Sequence, residues 1–249
     1  MFARGGSNVR WRVPGTVKIC CDGNSITDGG QDGPNSVGGA PGYLSRSVAP
    51  FTTQGYANVA IGGQNTDAMI AYPSDINAAF DSSKKNILFV QEGTNQNSTG
   101  NTPAVNCQKF LDYIAARRAS RAWAAVVVAT APPAYLGDQV SQAATDSWNA
   151  SLDAYNALLR ARYREVADHL IETRCAGGPY DQARYPNYLK ATFFDNTVVN
   201  GISNNASWIT EPSGGSVPNQ KIHYTAAGII AFAPYFAAQM LRTKIRRRP

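Results

Sequence analysis

Five short apolar runs punctuate the chain: Val17-Lys18-Ile19-Cys20-Cys21, Ala57-Asn58-Val59-Ala60-Ile61, Ile87-Leu88-Phe89-Val90, Ala124-Ala125-Val126-Val127-Val128-Ala129 and His169-Leu170-Ile171. They have strand length, are rich in β-branched residues, and mostly end in Gly, Pro or polar residues, which predicts strands. Nearly unbroken apolar runs suit strands covered on both faces. Between them the period changes to that of a helix. Thr102 before Pro103 predicts an N-cap and first turn, with Cys107, Phe110 and Ile114 on one face. Trp148, Leu152, Tyr155, Leu159 and Val166 predict a long amphipathic helix. Thr225 is placed to cap a last helix through Ile229, Ala233, Phe236 and Met240, with a kink at Pro234. Strands alternating with helices predict an α/β fold, a three-layer α/β/α sandwich around a five-stranded parallel sheet.

From about Cys175 to Ile222 no period holds, and Gly, Asn, Ser, Pro and aromatic residues dominate. So long a stretch is usually functional or conceals short strands. With no repeat or linker in sight, the 249 residues read as a single domain, 1–249, with an irregular insertion at 176–222 and a basic tail at 243–249. A hydrophobic share of 43% and a charged share of 16% exclude wholesale disorder. No run reaches the ~18 apolar residues of a membrane span, and Met1-Phe2-Ala3-Arg4-Gly5-Gly6 lacks a signal-peptide core, so a soluble chain without membrane partners is expected. The net charge of +6 owes much to Lys244, Arg246, Arg247 and Arg248. A solvated tail suited to the negative end of a helix explains these without a specific nucleic-acid partner. The four cysteines, Cys20, Cys21, Cys107 and Cys175, form no CxxC. Neighbours in one strand point to opposite faces, so buried free thiols and no metal site are expected.

In open parallel sheets ligands bind at the carboxyl ends of the strands. The segments just beyond three predicted strands are Asp22-Gly23-Asn24-Ser25-Ile26-Thr27-Asp28, Gly62-Gly63-Gln64-Asn65-Thr66 and Gly93-Thr94-Asn95-Gln96, and Ile222-His223-Tyr224 stands before the last helix. A serine hydroxyl becomes a nucleophile when a base takes its proton, and imidazole is the usual base. Of two histidines, His169 enters a strand, whereas His223 is placed at the strand-end face and is the better candidate. An oxyanion needs donors aimed at it beforehand; Gly63 offers an unobstructed N–H and Asn95 a side-chain amide. Each has an ordinary alternative: a helix cap for Ser25, a turn for His223 or Gly63, an Asx-turn for Asn95. Asp22 and Asp28 read as structural hydrogen-bonding groups.

Taken together these segments resemble the SGNH (GDSL-like) serine hydrolases. Gly23-Asn24-Ser25-Ile26-Thr27 is similar to the GDSxT nucleophile block with Asn for Asp, and Asn58-Val59-Ala60-Ile61-Gly62-Gly63 to the second block. Gly93-Thr94-Asn95-Gln96 is similar to GxND with Gln for Asp, and His223 matches the histidine of DxxH. The resemblance implies a flavodoxin-like sandwich and a Ser-His-Asp triad needing no cofactor. It assigns Ser25 as nucleophile, His223 as base, and Ser25, Gly63 and Asn95 as the oxyanion hole. Where DxxH has its acid this chain has Gln220, an amide that can orient the imidazole without a charge. A Ser-His dyad, an acid such as Asp195 or Glu211 from the irregular segment, or a silent site are the three consequences open at this point. Asp-Gly-Asn-Ser and Gly-Gly-Gln also resemble phage and prophage members taken to deacetylate surface glycans, which implies a virion-associated or extracellular setting. The expectation is a short-acyl, acetyl carbohydrate esterase whose partner is a small-molecule or glycan ester. The rivals are a weakened or inactive glycan-binding or virion structural module, and a lipid esterase or thioesterase.

Overall fold

The apolar runs assemble into one parallel sheet of β1 (Val17–Gly23), β2 (Tyr56–Asn58), β3 (Lys85–Gln91), β4 (Ala125–Ala129) and β5 (His169–Ile171). Its order is β2-β1-β3-β4-β5, the flavodoxin-like order, with every pair parallel. The computed structural model describes residues 17–28, 55–72, 74–134, 136, 139–173, 198–199, 202–203, 209–210, 223–224, 235–236, 238–240 and 242–243. Because the chain leaves β1 toward β2 and then returns to β3 on the other side, the order reverses between β1 and β3. A crevice forms there, outside the carboxyl ends.

Five helices are described: α1 (Ser25–Asp28), α2 (Thr66–Ala71), α3 (Ser74–Ala78), α4 (Pro103–Ser120) and α5 (Gln142–Arg162). Thr102 caps α4 by accepting from Val105 N at 3.3 Å. The helix expected from Trp148 begins at Gln142 instead, because Ser141 accepts from Ala144 N at 3.2 Å and caps a first turn that carries no large apolar residue. Val166, expected on the same face, lies past α5, beyond a 3-10 turn at Tyr163–Glu165.

Alternation along the strands sorts the core into two layers. Cys20, Leu88, Val90, Val126, Val128 and Leu170 pack against Phe110 and Ile114 of α4, Leu152, Tyr155 and Leu159 of α5, Met69 of α2 and Ile76 of α3. The alternate residues Ile19, Cys21, Ile87, Phe89 and Val127 are buried on the other face. Residues 235–236 and 238–240 are helical and sit beside β5: Tyr235 donates to the Glu172 carbonyl, and Phe236 and Met240 are buried. Cys20, Cys21 and Cys107 are buried free thiols. No helix among the described residues is long and apolar enough to cross a membrane.

The region without a sequence period holds short strands. β6 (Val198–Val199) pairs with β7 (Ile202–Ser203), and β8 (Ile209–Thr210) with β9 (His223–Tyr224), both antiparallel. Cys175, Asp195, Glu211, Gln220, Thr225, Pro234 and the basic residues of the tail fall outside the described residues.

Candidate active site

The site is built on the turn that follows β1. Gly23 closes the strand at φ +148°, and a Cβ there would stand 2.3 Å from the Gln91 carbonyl of β3. Only glycine lets the two strand ends approach so closely. The turn then tightens through Thr27 N and Asp28 N, which donate to the Asn24 carbonyl at 3.0 and 2.7 Å, while the Asn24 side chain accepts from Ile26 N at 3.0 Å. Asn24, Ile26 and Thr27 are buried, whereas Ser25 and Asp28 are half-buried.

Asn58, at the end of β2, clamps this turn. Its Nδ2 donates to the carbonyls of Thr27 (2.8 Å) and Asp28 (3.0 Å), and its Oδ1 accepts from Ala60 N at 3.2 Å. The strand expected to run to Ile61 ends at Asn58, because Val59 and Ile61 keep only single bonds to Cys21 and Gly23 of β1 (2.9 and 3.3 Å) as the chain curls over α1. Gln64 N then closes a turn on the Ile61 carbonyl at 3.1 Å, with Gly63 at φ +77°, where a type II turn requires glycine. Gly62 abuts the Ser25 turn: a Cβ there would lie 3.9 Å from Ser25 Cβ and 3.6 Å from Asp28 Oδ2. Its N–H is taken by the Asp28 carboxylate, whose pKa burial nevertheless raises. Gly63 N–H meets no acceptor among the described residues.

Asn95 opens the 3-10 turn Gln96–Thr99 after β3. Its Nδ2 donates to the Gln64 carbonyl at 2.9 Å, which ties it to the residue after Gly63 and uses one of its two amide hydrogens. His223 is in β9, paired with Thr210, and β9 approaches α1 to within 8 Å between Cα atoms. Segments distant in the chain, carrying Ser25, Gly63, Asn95 and His223, thus meet at one rim of the sheet. His169 begins β5, at the opposite, amino end of a strand.

Three acids stand under the rim. Asp22 is buried and accepts from Tyr113 Oη and, at 2.8 Å, from Gly23 N; burial holds it up at about 6 against those donors. Glu92, fully buried, accepts from Asn24 Nδ2 and, at 2.9 Å, from Gln96 N. Burial pushes its carboxyl up to about 7, although the N–H groups of Gly93, Gln96 and Asn95 and the Asn24 amide all act to lower it. The third is Asp28, beside Gly62. Asn58 and Glu92 are residues that sequence reasoning misses, although Asn58 belongs to the segment similar to the family's second block. The available signal for Glu92 was an acid closing an otherwise apolar strand.

The sequence matches the model of the GDSL-like lipase/acylhydrolase family over residues 21–228, most of the chain. It belongs to this family. Members are carboxylic ester hydrolases, and that is the reaction class of this GDSL-like hydrolase. No curated protein matches it by sequence. Among solved structures, phospholipase A1 from Streptomyces albidoflavus superposes with a TM-score of 0.55 at 14% identity, covering 89% of this chain and 98% of that one. A lipolytic protein of the G-D-S-L family from Veillonella parvula gives 0.53 at 14% identity, over 89% and 96%. The lipase/acylhydrolase from Enterococcus faecalis gives 0.52 at 12%, over 93% and 99%. At these identities the likeness is one of fold.

The departures from the family's blocks have local reasons. Gln96 donates to Asn106 Oδ1 (3.2 Å) and Asp67 Oδ2 (3.4 Å) and accepts from Thr66 N (2.8 Å). An aspartate at 96 has no hydrogen to give those oxygens. Likewise an aspartate at 24 would set a second carboxylate against Glu92.

Proposed function

We propose that this GDSL-like hydrolase removes short acyl groups, acetyl foremost, from carbohydrates through an acyl-enzyme on Ser25. The observation that carries the reading is the convergence of the four segments at the β1/β3 switch point. Ser25 Oγ attacks the ester carbonyl while His223 takes the hydroxyl proton. The N–H groups of Ser25 and Gly63 and the Asn95 amide hold the oxyanion. Its collapse expels the alcohol, which receives the proton from His223. Water, deprotonated by His223, then cleaves the acyl-enzyme and releases the carboxylate and Ser25. Gln220, an amide, orients the imidazole through its oxygen.

For a sugar substrate the support is the lining beside the oxyanion turn. Asn97, Leu136, Ala144, Ser147, Trp148 and Ser151 border a pocket of about 370 Å³. An indole flanked by amide and hydroxyl groups suits a sugar face and its hydroxyls better than an alkyl chain. The name of the Streptomyces phospholipase favours a lipid ester instead, and acyl length separates the two. On p-nitrophenyl esters, kcat/KM for the acetate is expected to exceed that for the decanoate by at least about tenfold, each misplaced methylene being worth about 1–3 kcal/mol. The chain is also expected to release acetate from an O-acetylated oligosaccharide. A decanoate hydrolysed as well as the acetate would move the substrate to lipid esters.

A further inference from the structure

Glu92 bonds neither the Ser25 hydroxyl nor the Asn95 side-chain amide, yet it joins the two turns that carry them. One carboxylate oxygen accepts from Asn24 Nδ2, and Asn24 immediately precedes Ser25; the other accepts at 2.9 Å from Gln96 N, and Gln96 immediately follows Asn95. The N–H groups of Gly93 and Asn95 face the same carboxylate. Tyr155 of α5 donates to the Glu92 carbonyl at 3.2 Å. A carboxylate only accepts, and everything aimed at this one donates. Its effect on Asn24 is specific. With Nδ2 engaged by Glu92, Asn24 Oδ1 is left facing Ile26 N at 3.0 Å, which fixes the turn around Ser25; a flipped amide would lose both bonds.

The sequence points the same way. The family's nucleophile block and its GxND block each carry an aspartate, and here both are amides, Asn24 and Gln96. The acidic side chain stands once, between them, at Glu92. A nucleophile and its oxyanion donor need to be held within about 0.5 Å of their working geometry, which requires a support shared by both loops.

We propose that Glu92 is the positioning residue that sets the Ser25 turn and the Asn95 turn at their working separation, replacing the two missing aspartates with one shared carboxylate. This rests on Ser25 as nucleophile and Asn95 as oxyanion donor. The test compares the wild type, Ser25→Ala, Glu92→Gln and the double variant Asn24→Asp/Glu92→Gln by p-nitrophenyl acetate kinetics and thermal melting. Glu92→Gln sets an amide N–H₂ against surrounding donors. In the double variant donor and acceptor are exchanged: the carboxylate introduced at 24 accepts from the amide at 92 and from Ile26 N, and the amide oxygen at 92 accepts from Gln96 N.

Glu92→Gln is expected to lower kcat at least about tenfold with KM within about twofold, since the lost contact serves the transition state rather than substrate binding. The double variant is expected to recover kcat to within about threefold of wild type. A kcat in Glu92→Gln within about twofold of wild type overturns the proposal, as does a folded double variant no faster than the single one. Should Glu92→Gln fail to melt cooperatively, the double variant decides alone, by the same threefold recovery or its absence. A wild type no faster than Ser25→Ala would end the nucleophile assignment and this inference with it. A Ser25-dependent wild type indifferent to position 92 would end only the inference.

Discussion

Ser25→Ala is expected to slow hydrolysis of p-nitrophenyl acetate by about 10²-fold or more, with the fold intact. The magnitude follows from the missing acid. In a serine protease an amide in place of the triad aspartate costs about 10⁴ in turnover, and loss of the serine costs about 2 × 10⁶ from a full triad, which leaves about 10² still to lose here. A wild type with its acid supplied from elsewhere would show a larger drop. Ser25 is half-buried beside buried Ile26 and Thr27, so removing one oxygen leaves their packing untouched. Steady-state rates beside the melting curve check both parts. Equal rates would remove Ser25 from the chemistry.

Gly23→Ala is expected to destroy the site by another route, through the backbone. The residue sits at φ +148°, and the new Cβ would stand 2.3 Å from the Gln91 carbonyl and 2.6 Å from Thr27 Oγ1. A left-handed backbone at a non-glycine residue costs about 1–3 kcal/mol. Relieving the clash requires β1 and β3 to part at Gly23↔Gln91, the register point that precedes the Ser25 and Asn95 turns. The sum is at least about 4 kcal/mol, an exceptional loss against a usual total of about 5–15. Urea denaturation followed by circular dichroism is expected to show a midpoint moved well below that of the wild type, with the free energy of unfolding lowered by about 4 kcal/mol or more. A loss below about 1 kcal/mol would mean the turn is less constrained than its geometry requires.

What the sequence made legible was whatever burial enforces continuously. The runs around Ile19, Leu88 and Val127 are apolar at alternate as well as at facing positions because both faces of the sheet are buried, and all three became central strands. β2 was read three residues too far, since Val59-Ala60-Ile61 is as apolar as a strand yet curls away to reach α1. The short helices α2 and α3 have too few turns to show a period. β6 to β9 are two-residue strands, below the length at which alternation can be seen. At the candidate site, the segments that carry Ser25, Gly63, Asn95 and His223 stand out in the sequence because they fall in recognisable blocks. Glu92 does not, because an acid beside a strand looks like a strand end until the donors around it are known. Asn24 and Gln96 read as departures from the blocks; with Glu92 between them they are the complements of one buried carboxylate.

Seating Ser25 and His223 at one rim is the claim on which the rest depends, and an alkyl fluorophosphonate probes it directly. A phosphonate is attacked by an activated serine and by little else, and base activation is worth about 10²–10⁴ in rate. Peptide mass mapping of the labelled protein is expected to find one adduct per chain, on Ser25, formed at least about 10²-fold more slowly in His223→Ala. An adduct on another residue, or equal labelling rates with and without the imidazole, would contradict it.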